Sequence, residues 1–446
     1  MLHVIHASRA LALVPLVTLL SLVPIATASA AVPRCMGERA TIVGTDRGDA
    51  LFGTHGRDVI VGLGGADTIR GLERRDLICA GPGDDDVRGG DGVDVVLGEQ
   101  GDDRLVGGPG FFNQIWPGPG NDVADGGPAK REGSDELVYL DASSGIVADL
   151  AAGTVTGAGN DAVGHFEWLI GSQHDDQLAG SPRQHEVIFG AGGDDAIELR
   201  GGEDAAAGGA GDDQIDGGPG IDVLAEAVLA RIYGQPTVTG PLTVDLGAGT
   251  ATGVGSDALT SIEASQGSRG DDVMTGDGND NEFTRLGKGD DLVDAAGGDD
   301  LVDGGPGVDD LAGGNGTDVL GALDSNAGMT IDLGAGTTSD GDTLSSFESV
   351  IGSFFDDVIT GDGGANTIEG ADGADTISGL AGDDVLFGGW ADGFDDGSTD
   401  SVDGGPDNDA CDAEVETNCE SDPALMASAA GRFDVRDLWL DLERRR

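Results

Sequence analysis

The stretch Gly89-Gly90-Asp91-Gly92-Val93-Asp94-Val95-Val96-Leu97 decides how this chain is read, because its aspartate and its aliphatic residue recur at one beat on both sides of it. Asp49, Asp58, Asp67, Asp76, Asp85, Asp94 and Asp103 stand nine residues apart. Two positions after them come Leu51, Ile60, Ile69, Ile78, Val87, Val96 and Leu105, and the beat resumes at Asp195, Asp291 and Asp375. Such a period is the mark of a repeat architecture and is read before anything else. Stacked units place their aliphatic side chains in register along one continuous core, whereas a single unit buries almost nothing. The Asp-x-aliphatic triplet suits a very short strand. The glycine-rich hexad ahead of it suits a tight turn, because glycine visits positive φ without steric cost.

Composition supports a thin ladder over a thick core: aromatic residues are 4% of the chain and glycine supplies 82 of 446 residues. With 83 Asp and Glu against 23 Lys and Arg, the formal charge of −60 opposes any compact state that binds no cations. The same charge argues against nucleic acid and anionic membrane as partners. Carboxylates and turn carbonyls are hard oxygen ligands. Calcium accepts six to eight of them in flexible geometry, while magnesium demands a stricter octahedron, so calcium ions are the expected cofactor. A disordered or salt-adapted acidic chain is the alternative; it has no need of aspartate and aliphatic locked to one period.

Full hexads stand at Gly208-Gly209-Ala210-Gly211-Asp212-Asp213, Gly217-Gly218-Pro219-Gly220-Ile221-Asp222, Gly304-Gly305-Pro306-Gly307-Val308-Asp309 and Gly313-Gly314-Asn315-Gly316-Thr317-Asp318. The unit Gly-Gly-x-Gly-x-Asp-x-aliphatic-x resembles the hemolysin-type calcium-binding repeat of RTX proteins. The resemblance implies an all-β chain folded as a parallel β-roll, a right-handed β-solenoid in which two nonapeptides make one turn. It also implies calcium between neighbouring loops on the same side, so that Asp49 shares ions with Asp67, and Asp58 with Asp76. Carried over position by position, the metal ligands are the seven aspartates above together with Asp195, Asp204, Asp213, Asp222, Asp272, Asp291, Asp300, Asp309, Asp318, Asp357, Asp375, Asp384 and Asp409. Some units depart from the pattern. Asn281 and Asn366 replace the aspartate, Phe112 removes it, and the loop ending in Asp76 carries Arg74 and Arg75, whose guanidinium groups are candidates to stand near the ion's place.

Residues 1–30 read as a secretory signal: Arg9, an apolar run from Ala10 to Val23, and Ala28-Ser29-Ala30 as cleavage site, with an uncleaved membrane anchor as the competing reading. After cleavage no membrane span is expected. The roll then divides into an N-terminal nonapeptide block at 31–136 and three units at 137–222, 223–318 and 319–420, with a tail or cap at 421–446. Each of the three units opens on a longer segment, beginning Ile146-Val147-Ala148-Asp149-Leu150, Leu242-Thr243-Val244-Asp245-Leu246 and Met329-Thr330-Ile331-Asp332-Leu333, and running on to Glu167, Glu263 or Glu348. Their alternating apolar residues indicate strands. They are read as wider turns of the same solenoid, with small separate modules as the alternative. Cys35, Cys79, Cys411 and Cys419 in an exported chain favour disulfides, and Cys35 with Cys79 and Cys411 with Cys419 are the local pairings.

Catalytic motifs are missing. His185-Glu186 lacks the second histidine of a zinc-protease helix, there is no Gly-x-Ser-x-Gly elbow, and Gly287-Lys288-Gly289 lacks the Ser or Thr of a phosphate loop. His165, His174 and His185 are spaced so that a solenoid can bring two together, though exposed turn histidines are the commoner outcome. Asp277-Gly278-Asn279-Asp280-Asn281 starts like an EF-hand but has Glu282 where glycine is needed and Lys288 where a bidentate glutamate is needed. The expectation is a secreted, non-enzymatic calcium-binding protein with a structural, surface or matrix role. With rungs about 4.8 Å apart, its rod would be on the order of 100 Å long. The alternative is an RTX-type secreted enzyme, toxin or adhesin whose repeats serve calcium-triggered folding.

Overall fold

The computed structural model describes residues 32–128, 134–182, 185–226, 240–390, 398–413 and 415–419. The signal-like segment and the tail at 421–446 lie outside them. Among the described residues every regular element is a strand, most of them three residues long.

From Ile42 onward the chain lays these strands alternately into two sheets. In sheet I, Val59–Val61, Leu77–Cys79 and Val95–Leu97 run parallel, with Ile60 opposite Ile78 and Ile78 opposite Val96. In sheet II, Ala50–Phe52, Thr68–Glu73, Asp86–Asp91 and Arg104–Val106 run parallel, with Leu51 opposite Ile69 and Ile69 opposite Val87. Partners are thus two nonapeptides apart, as a β-roll requires. In a strand of three residues only the middle side chain faces inward. That residue is the repeat's aliphatic: Ile60, Ile69, Ile78, Val87, Val96, Leu105 and Ile115 are all fully buried in one continuous core.

Both predicted disulfides are present. An antiparallel hairpin of Arg34–Cys35 and Glu38–Arg39 is tied to the sheet I strand Leu77–Cys79 by Cys35–Cys79, and Cys35 packs with Val59, Val61 and Leu77 on the outer side of sheet I. Cys411–Cys419 ties the last strand of sheet I to the residues just beyond the last strand of sheet II.

The longer segments stay within the solenoid, each as a turn with two extra strands. In the first, Val147–Asp149, Thr154–Thr156 and Asn160–Gly164 form an antiparallel meander inside sheet II. Its last strand pairs in parallel with the preceding rung, Val123–Asp125, and its first with the following rung, Gln177–Ala179, so spatial order reverses sequence order. Sheet I takes no insertion there: Glu136–Val138 pairs directly with Trp168–Ile170. The same arrangement recurs at 243–260 and 330–345. A local turn causes the reversal. Asp149, Asp245 and Asp332 each accept the N–H three residues on, from Ala152, Ala248 and Ala335, and Gly153, Gly249 and Gly336 follow at φ 68°, 67° and 66°. A side-chain-capped turn closed by a left-handed glycine makes a tight hairpin instead of a crossover. Among the described residues sheet II therefore has 24 strands and sheet I has 18.

Candidate metal centre

Each hexad is the bend that carries the chain from one sheet to the other, so its aspartates line the two long edges of the roll in two rows. The backbone N–H of each row residue donates to a carboxylate oxygen one turn further on. On one edge Asp49 donates to Asp67, Asp67 to Asp85, Asp85 to Asp103 and Asp103 to Asp122, all at 2.7–2.8 Å. On the other, Asp58 donates to Asp76 and Asp76 to Asp94 at 2.8 Å. This bond uses Oδ1 only. The Oδ2 atoms of Asp67, Asp76, Asp85, Asp94, Asp103, Asp195, Asp204, Asp213, Asp222, Asp291, Asp300, Asp309, Asp318, Asp375 and Asp384 are buried and have no hydrogen-bond partner. Leaving so many charged oxygens uncompensated is costly unless something else meets them.

The glycines show what surrounds those oxygens. A Cβ on Gly62 would stand 2.1 Å from the Ala80 carbonyl oxygen and 2.5 Å from Asp67 Oδ2; on Gly81 it would stand 2.0 Å from the Leu63 oxygen, and on Gly83 2.1 Å from the Gly65 oxygen. Within the rows the second residue of the hexad adopts positive φ, 79° at Leu63 and 121° at Gly90, and so its carbonyl turns toward the next loop. Between consecutive loops, carbonyls of the earlier bend face forward, the first carbonyl of the later bend faces back, and a carboxylate oxygen lies beside them. Among the described residues no three His, Cys, Asp or Glu side chains converge on a point. Each gap therefore supplies mostly backbone oxygen, with carboxylate from the row. A hard divalent cation with several oxygen ligands fits such a set.

Burial is the largest cause of the row's altered acidity. It pushes Asp76 and Asp85 up to about 6, Asp94 to about 7 and Asp103 to about 8, against the pull of the N–H bond from the preceding turn, and the neighbouring row carboxylate adds to the rise. Asp195 and Asp375 reach about 8 for the same reasons.

All twenty aspartates expected from the sequence lie in these rows. Four of them have Oδ2 held by protein donors: Asp49 by Thr45, Asp58 by Thr54, Asp272 by Ser268 and Asp357 by Ser353, each through a backbone N–H. These four begin rows, and Asp176 joins them through Ser172. Asn281 and Asn366 also begin rows, each accepting a loop N–H from Asp277 or Asp362 through Oδ1. Phe112 does not interrupt its row. The loop is one residue longer, and Asn113 takes the place, accepting from Asp94 at 3.2 Å and donating its N–H to Asp135 at 2.7 Å. Arg74 and Arg75 are exposed and form no ion pair among the described residues, so no guanidinium takes an ion's place at Asp76.

Sequence reading missed Asp122, Asp135, Asp161, Asp176, Glu186, Asp257, Asp342 and Asp400, which stand in the same rows. A signal existed for three of them. Gly118-Pro119-Gly120-Asn121-Asp122, Gly157-Ala158-Gly159-Asn160-Asp161 and Gly253-Val254-Gly255-Ser256-Asp257 keep most of the hexad but fall off the nine-residue count. Glu167, Glu263 and Glu348 close rows on one edge, accepting the N–H of Asp135, Asp222 and Asp318. The histidines do not gather: His165 Nδ1 lies 2.8 Å from Asp125, while His185 Nδ1 lies 3.0 Å from the Glu203 carbonyl.

The sequence profile of the RTX calcium-binding nonapeptide repeat (4 copies) matches residues 43–78, 80–111, 189–224, 287–320, 345–377, 360–395 and 370–411. No curated protein matches the chain.

Proposed function

This chain carries RTX calcium-binding nonapeptide repeats, and on that premise we propose that it is a secreted, non-enzymatic protein whose roll folds and stiffens on binding extracellular calcium, with a structural role at a surface or in a matrix. The buried, unpartnered Oδ2 row carries this reading. A cation in each gap would be met by Oδ2 and the facing carbonyls. It would relieve the repulsion along the row, so binding and folding become one equilibrium. The chain's own residues set the geometry: the N–H to Oδ1 bonds fix each carboxylate, and the glycines leave room for the oxygens. The two disulfides fit an oxidising, extracellular compartment. Among the described residues no helix is long and apolar enough to cross a membrane.

The lack of an enzyme role is part of the proposal. Catalysis needs groups held together in a partly shielded pocket, and the most perturbed carboxylates here stand in the rows. The purified chain is expected to leave general protease, lipase, phosphatase and glycosidase substrates unchanged in calcium. For the central reading, far-UV circular dichroism and hydrodynamic radius are compared in chelator and in millimolar calcium. The expected result is an expanded, strand-poor chain that compacts as calcium is added; identical spectra and radii in the two conditions would refute it.

A further inference from the structure

Each meander has to finish a carboxylate row where no full loop follows, and the three do so with different side chains. Four residues beyond row residues Asp135, Asp222 and Asp318 stand Tyr139, Glu226 and Ala322. At the first meander the buried Tyr139 hydroxyl donates to Asp161 Oδ2 at 2.8 Å. At the third, the Thr338 hydroxyl donates to Asp342 Oδ2 at 2.7 Å. The terminal carboxylate thus receives a protein donor in both. At the second, Asp257 accepts only the Asp213 N–H among the described residues, and the side chain in Tyr139's place is another acid, Glu226, 1% exposed.

Glu226 is aimed at the head of the last full loop. Its Oε1 accepts the Gly208 N–H at 2.6 Å and its Oε2 the Gly209 N–H at 3.1 Å. Asp213 Oδ2, buried and without a partner, lies 2.1 Å from where a Cβ on Gly208 would stand. Two carboxylates therefore meet at one glycine. One turn earlier the corresponding glycine, Gly190, faces Asp195 Oδ2 and a neutral backbone oxygen, that of Gly208. Burial, then the charges of Asp257 and Asp213, push Glu226 up to about 8. Hydrogen bonds to two glycine amides do not require an acid there, since a neutral acceptor serves them without the repulsion.

We infer that Glu226 is a ligand for a hard divalent cation that closes the row at the second meander, shared with Asp213, in a site with one more carboxylate than the repeat itself supplies. This rests on the calcium reading above, and adding ligand charge tightens such sites. The test uses the full chain and calcium alone, followed by calorimetry with chelator competition. Glu226→Gln is expected to lose one ion, or to weaken one by roughly tenfold or more, with the remaining ions and the calcium-bound circular dichroism unchanged. A full complement of ions at wild-type affinity overturns the assignment. A wild-type chain that binds no calcium at all sinks the general reading instead. Should Glu226→Gln fail to fold in saturating calcium, Glu226→Asp decides: an ion lost or weakened in a chain that folds supports the site, and a full complement at wild-type affinity overturns it.

Discussion

The block from Asp49 to Asp103 and the meander from Val147 to Gly164 use the same edge of the roll in opposite ways. In the block, every bend from Asp67 onward is a hexad whose aspartate leaves one oxygen buried and unpartnered. Around the meander that oxygen is given a protein donor: Tyr139 for Asp161 in its last strand and Ser172 for Asp176 after it. The N–H to Oδ1 rows also stop there, because the first meander strand begins with Ile146 in place of an acid. At this meander, charge that needs a cation is therefore kept inside the block and neutralised by hydrogen bonds at its border.

The sharpest way to break that contrast is to fill a glycine. Valine at Gly62 would put its Cβ 2.1 Å from the Ala80 carbonyl oxygen, whereas a Cβ on Gly164, in the meander, meets nothing within 4 Å. Overpacking costs about 1–3 kcal/mol even where side chains can shift, and here the clash is with backbone. Gly62→Val should abolish calcium-induced folding of the first block, read by hydrogen exchange, while Gly164→Val should fold like the parent. Equal protection in the two variants would mean that the loops are not closely stacked.

A smaller effect separates the interior of a row from its border. Asp85 stands between two gaps and also accepts the Asp67 N–H, so Asp85→Ala should cost more than one calcium ion by calorimetry. Asp176 opens a row and has its free oxygen held by Ser172, so Asp176→Ala should cost one at most. Independent single-ion losses at both positions would count against shared gaps.

The smallest effect is on pH. The ion-free roll holds Asp76 at about 6, Asp94 at about 7 and Asp103 at about 8, all above the unfolded value. A raised carboxylate favours the folded ion-free form when protonated. That stabilisation is complete below the unfolded value near 4 and is lost as pH rises through 6 to 8. The expanded calcium-free chain should therefore regain strand structure as pH falls from 8 toward 4, read by far-UV circular dichroism. A calcium-free chain equally expanded at pH 4 and at pH 8 would show that protonation does not relieve the rows.

The block interior was legible because period, charge and aliphatic position all repeat in register, and twenty row aspartates follow from counting. Borders were not, for physical reasons. The count slips by one at Asn113 and Asp122, because a longer loop keeps the same stacking with an extra residue. The partner of Asp122 is Asp161 and that of Asp213 is Asp257, because a meander strand inserted between rungs moves the next carboxylate far along the chain. Strand positions in the longer segments were evident from alternation. Their reversal depends on one side chain accepting a hydrogen bond three residues on and one glycine at positive φ, a local signal that alternation does not register.

The unequal strand counts of the two sheets bear on the shape of the whole. Strands lie about 4.8 Å apart in either sheet, so each meander makes sheet II longer than sheet I by two spacings, about 10 Å, across a body only about 10 Å thick. A strip with one side longer than the other bows toward its short side. The meanders act as wedges, placed at three points along the stack, and a strip so built is expected to bow with sheet II on its outer side.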